Sequence, residues 1–223
     1  MPLNIENILN LEKTIASKLF SQKVPLWHVL PQISHFITEL GSKLDPTKFD
    51  KISENIWIAK TAQICKTASL NGPLIVDENA EIRHCAYIRG NVIVGKNAVV
   101  GNSTEIKKSI LFDAVQVPHY NYIGDSILGY KAHMGAGSIT SNIKSDKSLV
   151  CVTIDDERIP TNLRKFGAIV GDYVEIGCNC VLNPGTIIEK NSSIYPLNSV
   201  RGFVATNSIY KSSSTIVTKQ KAT

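Results

Sequence analysis

Between Glu105 and Asn142 the chain reads EIKKSILFDAVQVPHYNYIGDSILGYKAHMGAGSITSN, and here acid–base and cationic side chains gather. Lys107 and Lys108 follow Glu105 in tandem, and His119 opens a His-Tyr-Asn-Tyr run. An unperturbed imidazole titrates near pH 6.5, so such a histidine is suited to proton transfer at neutral pH. A second charged feature lies further on. No acidic residue follows Glu189, whereas Lys190, Arg201, Lys211, Lys219 and Lys221 do. That basic end suits a phosphate-bearing small ligand, or is simply a solvated tail. The cysteines, Cys65, Cys85, Cys151, Cys178 and Cys180, are odd in number and form no CxxC. This argues against a disulfide framework and against a structural zinc site.

The elements that must position these residues follow from an internal period. Sampled every sixth residue, Ile58, Ile64, Leu70, Val76, Ile82, Ile88, Val94, Val100 and Ile106 are all aliphatic. Small residues recur four places later, at Ala62, Ala68, Ala80, Ala86 and Ala98. The register returns at Val170, Ile176, Leu182, Ile188, Ile194 and Val200, and a slipped version passes through Ile123, Leu128 and Met134. A period of six is neither helical nor a simple strand alternation. It predicts an all-β solenoid in which each hexapeptide forms one short face with its aliphatic residue inward. Successive coils then stack at strand spacing, about 4.8 Å. On this grid Phe112 and Pro118 fall at aliphatic positions, which predicts an irregular wall around His119, and local rule-breaking is where a site is expected.

The repeat spans about 52–205. Residues 1–51 read instead as a helical cap of two short helices over the N-terminal end of the solenoid, covering an otherwise unpaired edge. The segment 143–165 reads as a hairpin leaving the wall around Asp155, Asp156 and Glu157. Residues 52–210 form the main domain, and 211–223 a basic tail. With 223 residues, 24 basic and 19 acidic, the net charge of +5 is too mild to argue for nucleic acid. No apolar run approaches a membrane span, and the N-terminus lacks a signal-peptide pattern. A cytoplasmic protein is expected.

The pieces Glu105-Ile106-Lys107-Lys108-Ser109, His119 to Asp125, Gly135 to Thr140 and Asn142, with Arg89 upstream, resemble the hexapeptide-repeat acyltransferases. Within these they resemble the C-terminal acetyltransferase domain of the bifunctional N-acetylglucosamine-1-phosphate uridyltransferase/glucosamine-1-phosphate N-acetyltransferases. The resemblance covers roughly 80–205. It implies a left-handed parallel β-helix and a homotrimer with its site in the cleft between neighbouring solenoids. It also implies acetyl-CoA as co-substrate, an amino-sugar phosphate as acceptor, and a place in nucleotide-sugar and cell-envelope biosynthesis. His119 matches the general base and Glu105 the carboxylate that orients it. Arg89 and Lys107 match the residues holding the sugar phosphate, and Tyr122 and Asn142 those contacting the sugar. Ala136, Cys178, Pro196, Arg201 and Lys211 match the acetyl-CoA contacts, with a backbone N–H near Ala136 as a candidate oxyanion donor. No metal is implied.

Three positions depart from the pattern. His133 stands where an asparagine touches the sugar, Ile143 replaces an aromatic, and Lys147 is shifted by one residue. No Gly-rich nucleotide-binding segment precedes the repeat, so no uridyltransferase activity is expected. Alternatives to the enzyme are a non-catalytic scaffold or binding module on the same fold, or an N-acetyltransferase for a nucleotide-linked amino sugar. A zinc lyase on this solenoid needs three converging histidines, and His84, His119 and His133 include no close pair of the expected spacing.

Overall fold

The computed structural model describes residues 3–20, 24–155 and 157–219, so Asp156 and Lys221 lie outside the described residues. The hexapeptides build a left-handed parallel β-helix with three walls. Wall A begins with Ile56–Ala59 and Leu74–Val76, wall B with Gln63–Ile64, and wall C with Ser69–Leu70. The inward column of wall A runs Ile58, Val76, Val94, Leu111, Leu128, Val170, Ile188 and Val204. Stacked parallel strands satisfy the backbone coil by coil, and the aliphatic columns fill the prism.

The irregularity read around His119 has a different location. The first coils are 18 residues long, but Val94 pairs with Leu111 and Leu111 with Leu128, each 17 on. The missing residue comes out of the corner joining wall C to wall A, because Ile106 to Leu111 and Ile123 to Leu128 are steps of five. Leu111 and Val117 therefore point inward, not Phe112 and Pro118. The hairpin Cys151–Ile154 with Glu157–Pro160 leaves and returns at the same C/A corner. His119 itself stands on a corner of ordinary spacing, between walls B and C.

Wall A differs from the other two in being buried on both faces. Its outward column includes Ile75, Ile93, Ile110, Ile127, Ile169 and Ile187, all fully buried. What covers it is the N-terminal segment, and here the expectation of two capping helices needs correction. Among the described residues, four short 3-10 helices and one α-helix, Ile33–Gly41, run along wall A instead of over its end. Their backbone meets Lys190 at Asn7, Asp172 at Ile8 and Asp113 at Lys13, while Phe20 packs edge-on to Phe112 and Trp27 against Phe166. The physical reason is area: a strip of outward isoleucines offers far more apolar surface than the end of the prism. The N-terminal edge is closed by strand Phe49–Ser53, antiparallel to Ile56–Ala59. The far edge is closed by Ser208–Ser212 and Thr215–Thr218, so the described part of the expected basic tail is a hairpin. Among the described residues, no helix is long and apolar enough to cross a membrane.

Asp172 ties this strip to the prism. Its Oδ2 accepts the Asn10 N–H at 2.7 Å and its Oδ1 the Tyr130 N–H at 2.7 Å. Burial raises its carboxyl above the usual range, opposed by those two N–H donors. An acid raised in the folded state holds its proton more tightly folded than unfolded. Its contribution is complete below the ordinary carboxyl value of about 3.9 and is lost as pH rises through the folded value. The wild type is thus expected to gain stability relative to Asp172→Asn as pH falls from about 7 to about 4. Denaturant unfolding at both ends of that range checks this, and a difference independent of pH refutes it.

Candidate active site

The B/C corner carries one column of predicted residues. Tyr120 N–H donates to Asn102 C=O, Gly137 N–H to His119 C=O, Asn179 N–H to Ala136 C=O and Leu197 N–H to Cys178 C=O. His119, Ala136, Cys178 and Pro196 are therefore successive rungs, about 4.8 Å apart by strand spacing. The His119 imidazole is exposed and has no hydrogen-bond partner among the described residues. Ala136 is half-buried, and its N–H likewise has no protein acceptor among the described residues.

Asn121, quoted above only as part of a motif, holds this corner. Its buried side chain accepts the His119 N–H through Oδ1 at 3.1 Å. Its Nδ2 donates to the carbonyls of Gly135 at 2.9 Å and Ser138 at 3.0 Å. One amide thus fixes two adjacent rungs. Asn121→Ala leaves these groups unpaired, and the expected loss in denaturant unfolding is about 1–3 kcal/mol. A loss below about half a kcal/mol would show that the corner holds itself without the amide.

Wall C supplies a second group. Glu105 lies in register with Tyr122, and Lys107 with Gly124. Arg89 Nη1 donates to Glu105 Oε1 at 2.7 Å, which differs from the expected pairing of Glu105 with the imidazole. No hydrogen bond joins Glu105 to His119 among the described residues; a guanidinium is the stronger partner for a carboxylate. Asn142 Nδ2 donates to Asp125 Oδ2 at 2.5 Å and reaches the Tyr122 hydroxyl at 3.3 Å. Asp125, 1% exposed, also draws Lys107 at 3.6 Å and Lys108 at 3.7 Å. Burial, then the Asp125 and Glu105 carboxylates, push the Tyr122 phenol up, so it remains a donor at neutral pH. Gly124 makes the convergence possible: a Cβ there would stand 2.7 Å from the Tyr122 hydroxyl and 2.8 Å from Asn142 Nδ2.

The structure therefore brings together Arg89, Glu105, Lys107, Tyr122 and Asn142 on wall C and the adjoining C/A corner. It stacks His119, Ala136, Cys178 and Pro196 on the B/C corner. It does not bring His133 to Tyr122. His133 faces outward from wall B, paired through Nδ1 with Glu175 at 2.9 Å. Lys147 is exposed in the excursion, in a turn closed by its N–H to Lys144 C=O. Arg201 is exposed beyond wall C strand Ser199–Val200, and Lys211 is exposed on the terminal hairpin. His84 lies elsewhere, bonded to Thr67 and Cys85. Sequence reasoning gave no role to Asp125 or Asn121. Their signal was an Asp after the Gly of a tightened turn and an Asn within the His-Tyr-Asn-Tyr run.

Comparison with known proteins adds an independent line. The family model described as the GMPPB C-terminal domain matches residues 70–191. The bifunctional protein GlmU of Methanococcus maripaludis is 34% identical over 214 residues, covering 87% of this chain and 48% of that protein. The chain spans about half the length of such curated relatives. YaiX, a putative uncharacterized acetyltransferase of Escherichia coli K12, is 28% identical over 152 residues, 68% of this chain and 66% of that protein. Among solved structures, the polySia specific acetyltransferase NeuO superposes with a TM-score of 0.50 at 15% identity. That match covers 71% of this chain and 80% of that one, a likeness of fold.

Proposed function

The chain belongs to the GMPPB C-terminal domain family, and from that premise we propose that it is an acyltransferase, an acetyl-CoA-dependent N-acetyltransferase acting on an amino-sugar phosphate such as glucosamine-1-phosphate. The observation that carries this is the B/C corner column. An imidazole with no hydrogen-bond partner among the described residues stands one rung from a backbone N–H with no acceptor among them, beside a wall C cluster of Arg89, Glu105, Lys107, Tyr122 and Asn142.

Acetyl-CoA, as co-substrate, supplies an electrophilic carbonyl to be attacked by the acceptor amine. His119 takes the proton the amine must lose as the new C–N bond forms, and returns it to the departing sulfur. The Ala136 N–H is placed to donate to the carbonyl oxygen as charge develops there. Glu105, whose Oε2 makes no hydrogen bond among the described residues, steadies the imidazolium through that oxygen. Arg89 and Lys107 hold the acceptor phosphate, and Tyr122 and Asn142 its sugar. Cys178 and Pro196 line the pantetheine path along the column, with Arg201 and Lys211 toward the nucleotide end. Lys147 flanks the acceptor from the excursion. A prism offers flat walls and no deep pocket, so a homotrimer forming the site between neighbouring solenoids suits this geometry. Wall A is already covered by the chain's own N-terminus, which leaves walls B and C for neighbours.

The test is release of free CoA thiol from acetyl-CoA with a panel of amino sugars and amino-sugar phosphates. Turnover with an amino-sugar phosphate is expected. Binding of acetyl-CoA with no turnover on any amine would instead make the chain a binding module.

A further inference from the structure

The C/A corner holds an open cleft of about 510 Å³ that shares only Lys107 and Asp125 with the site described so far. Lys107, Lys108 and Asp125 line it from the shortened coils, Arg164 and Lys165 from the returning end of the excursion, and Leu30 from the N-terminal strip. All three departures from the regular repeat therefore meet here: the five-residue steps, the insertion and the covering segment. Charge in the cleft is unbalanced. Four cations face one carboxylate, and that carboxylate is already engaged by Asn142, Lys107 and Lys108. Arg164 and Lys165 form no ion pair among the described residues. Asn91 also lines the cleft, and its buried Oδ1 has no hydrogen-bond donor among the described residues.

Gathering like charges is unfavourable until an anion offsets them. One phosphoryl group on Lys107 would leave Arg164 and Lys165 uncompensated. The cleft also lies around the far end of wall C from His119, away from the column of Ala136, Cys178 and Pro196. An anion there continues the acceptor, not the thioester. We propose that this cleft is a second phosphoryl subsite, formed by Lys108, Arg164 and Lys165, so that an amino sugar carrying a diphosphate is a better acceptor than the monophosphate. The proposal rests on the acyltransferase reading only for the identity of the acceptor; the anion site stands on the cleft.

Calorimetric titration of the full chain with inorganic pyrophosphate tests the site without turnover. Saturable binding is expected, at least about tenfold weaker in Arg164→Gln/Lys165→Gln at an unchanged melting temperature, and weakened by salt. No saturable binding, or equal binding by the double variant, overturns the proposal. A diphosphate could also belong to CoA, so turnover supplies the second arm. The double variant is expected to raise KM for a uridine-diphosphate-linked amino sugar at least about tenfold, with KM for acetyl-CoA moving less than about twofold. The reverse pattern assigns the cleft to the coenzyme and overturns the acceptor assignment. Pyrophosphate binding as expected, with no turnover on any amine, supports the anion site while refuting the acyltransferase reading.

Discussion

His119→Ala lowers turnover of acetyl-CoA with glucosamine-1-phosphate at least about a hundredfold, the usual scale for loss of a positioned general base. Little else on the B/C corner can take the proton. Ala136 and Pro196 carry no base, and Cys178, an exposed thiol on the same column, has no hydrogen-bonded base beside it among the described residues. The imidazole makes no hydrogen bond among the described residues, so its removal leaves the fold intact, and the melting temperature should be within a degree or so of wild type. Its backbone N–H, bonded to Asn121 Oδ1, survives the substitution. The deficit should therefore lie in kcat and not in KM for either substrate. It should also shrink as pH rises, because solvent then supplies more of the amine already neutral. Thiol-release rates at several pH values measure all of this. A variant within about threefold of wild type at neutral pH would remove His119 from the mechanism.

Trp27→Ala is expected to remove about 3–5 kcal/mol of stability, the cost of truncating a large core aromatic. Trp27 is 1% exposed and packs against Phe166, itself fully buried where the excursion rejoins wall A. Its Nε1 has no hydrogen-bond partner among the described residues, so the loss is one of packing. Trp27→Phe should accordingly lose less than half as much, since it keeps part of the ring and removes an unpaired buried donor. The effect should also be directional. The N-terminal strip meets the prism through Trp27, Phe20 and the Asp172 carboxylate. Weakening that contact should expose residues 3–48 to proteolysis before the solenoid unfolds. Denaturant melts and limited proteolysis read the two effects, and a loss under about 1 kcal/mol would mean the strip is held elsewhere.

Much of the solenoid was legible because its period is local. Each hexapeptide contacts its own coil and the next, so inward columns such as Ile58, Val76 and Val94 write themselves into the chain at fixed intervals. The same stacking aligned Glu105 with Tyr122, and the carbonyl–amide ladder placed His119 beside Ala136. A one-residue loss misled the grid at Phe112 and Pro118, since deletions at different corners shift it equally. The double-sided wall A was also present in the sequence, in the triplets Leu74-Ile75-Val76, Val92-Ile93-Val94 and Ala168-Ile169-Val170. A strand buried on both faces reads as a continuous apolar run.

What the sequence determined by itself was the stacked prism and the side chains that neighbouring rungs present together. Tertiary structure alone decided which wall the first fifty residues cover, that Arg89 takes the Glu105 carboxylate, and that Arg164 and Lys165 return beside Lys107 and Lys108. The first and last of these join segments far apart along the chain through apolar burial and charge, while the Arg89–Glu105 pair, 16 residues apart on adjacent coils, is a side-chain choice that the repeat leaves open. Neither force is periodic, so no repeat announces where such segments meet.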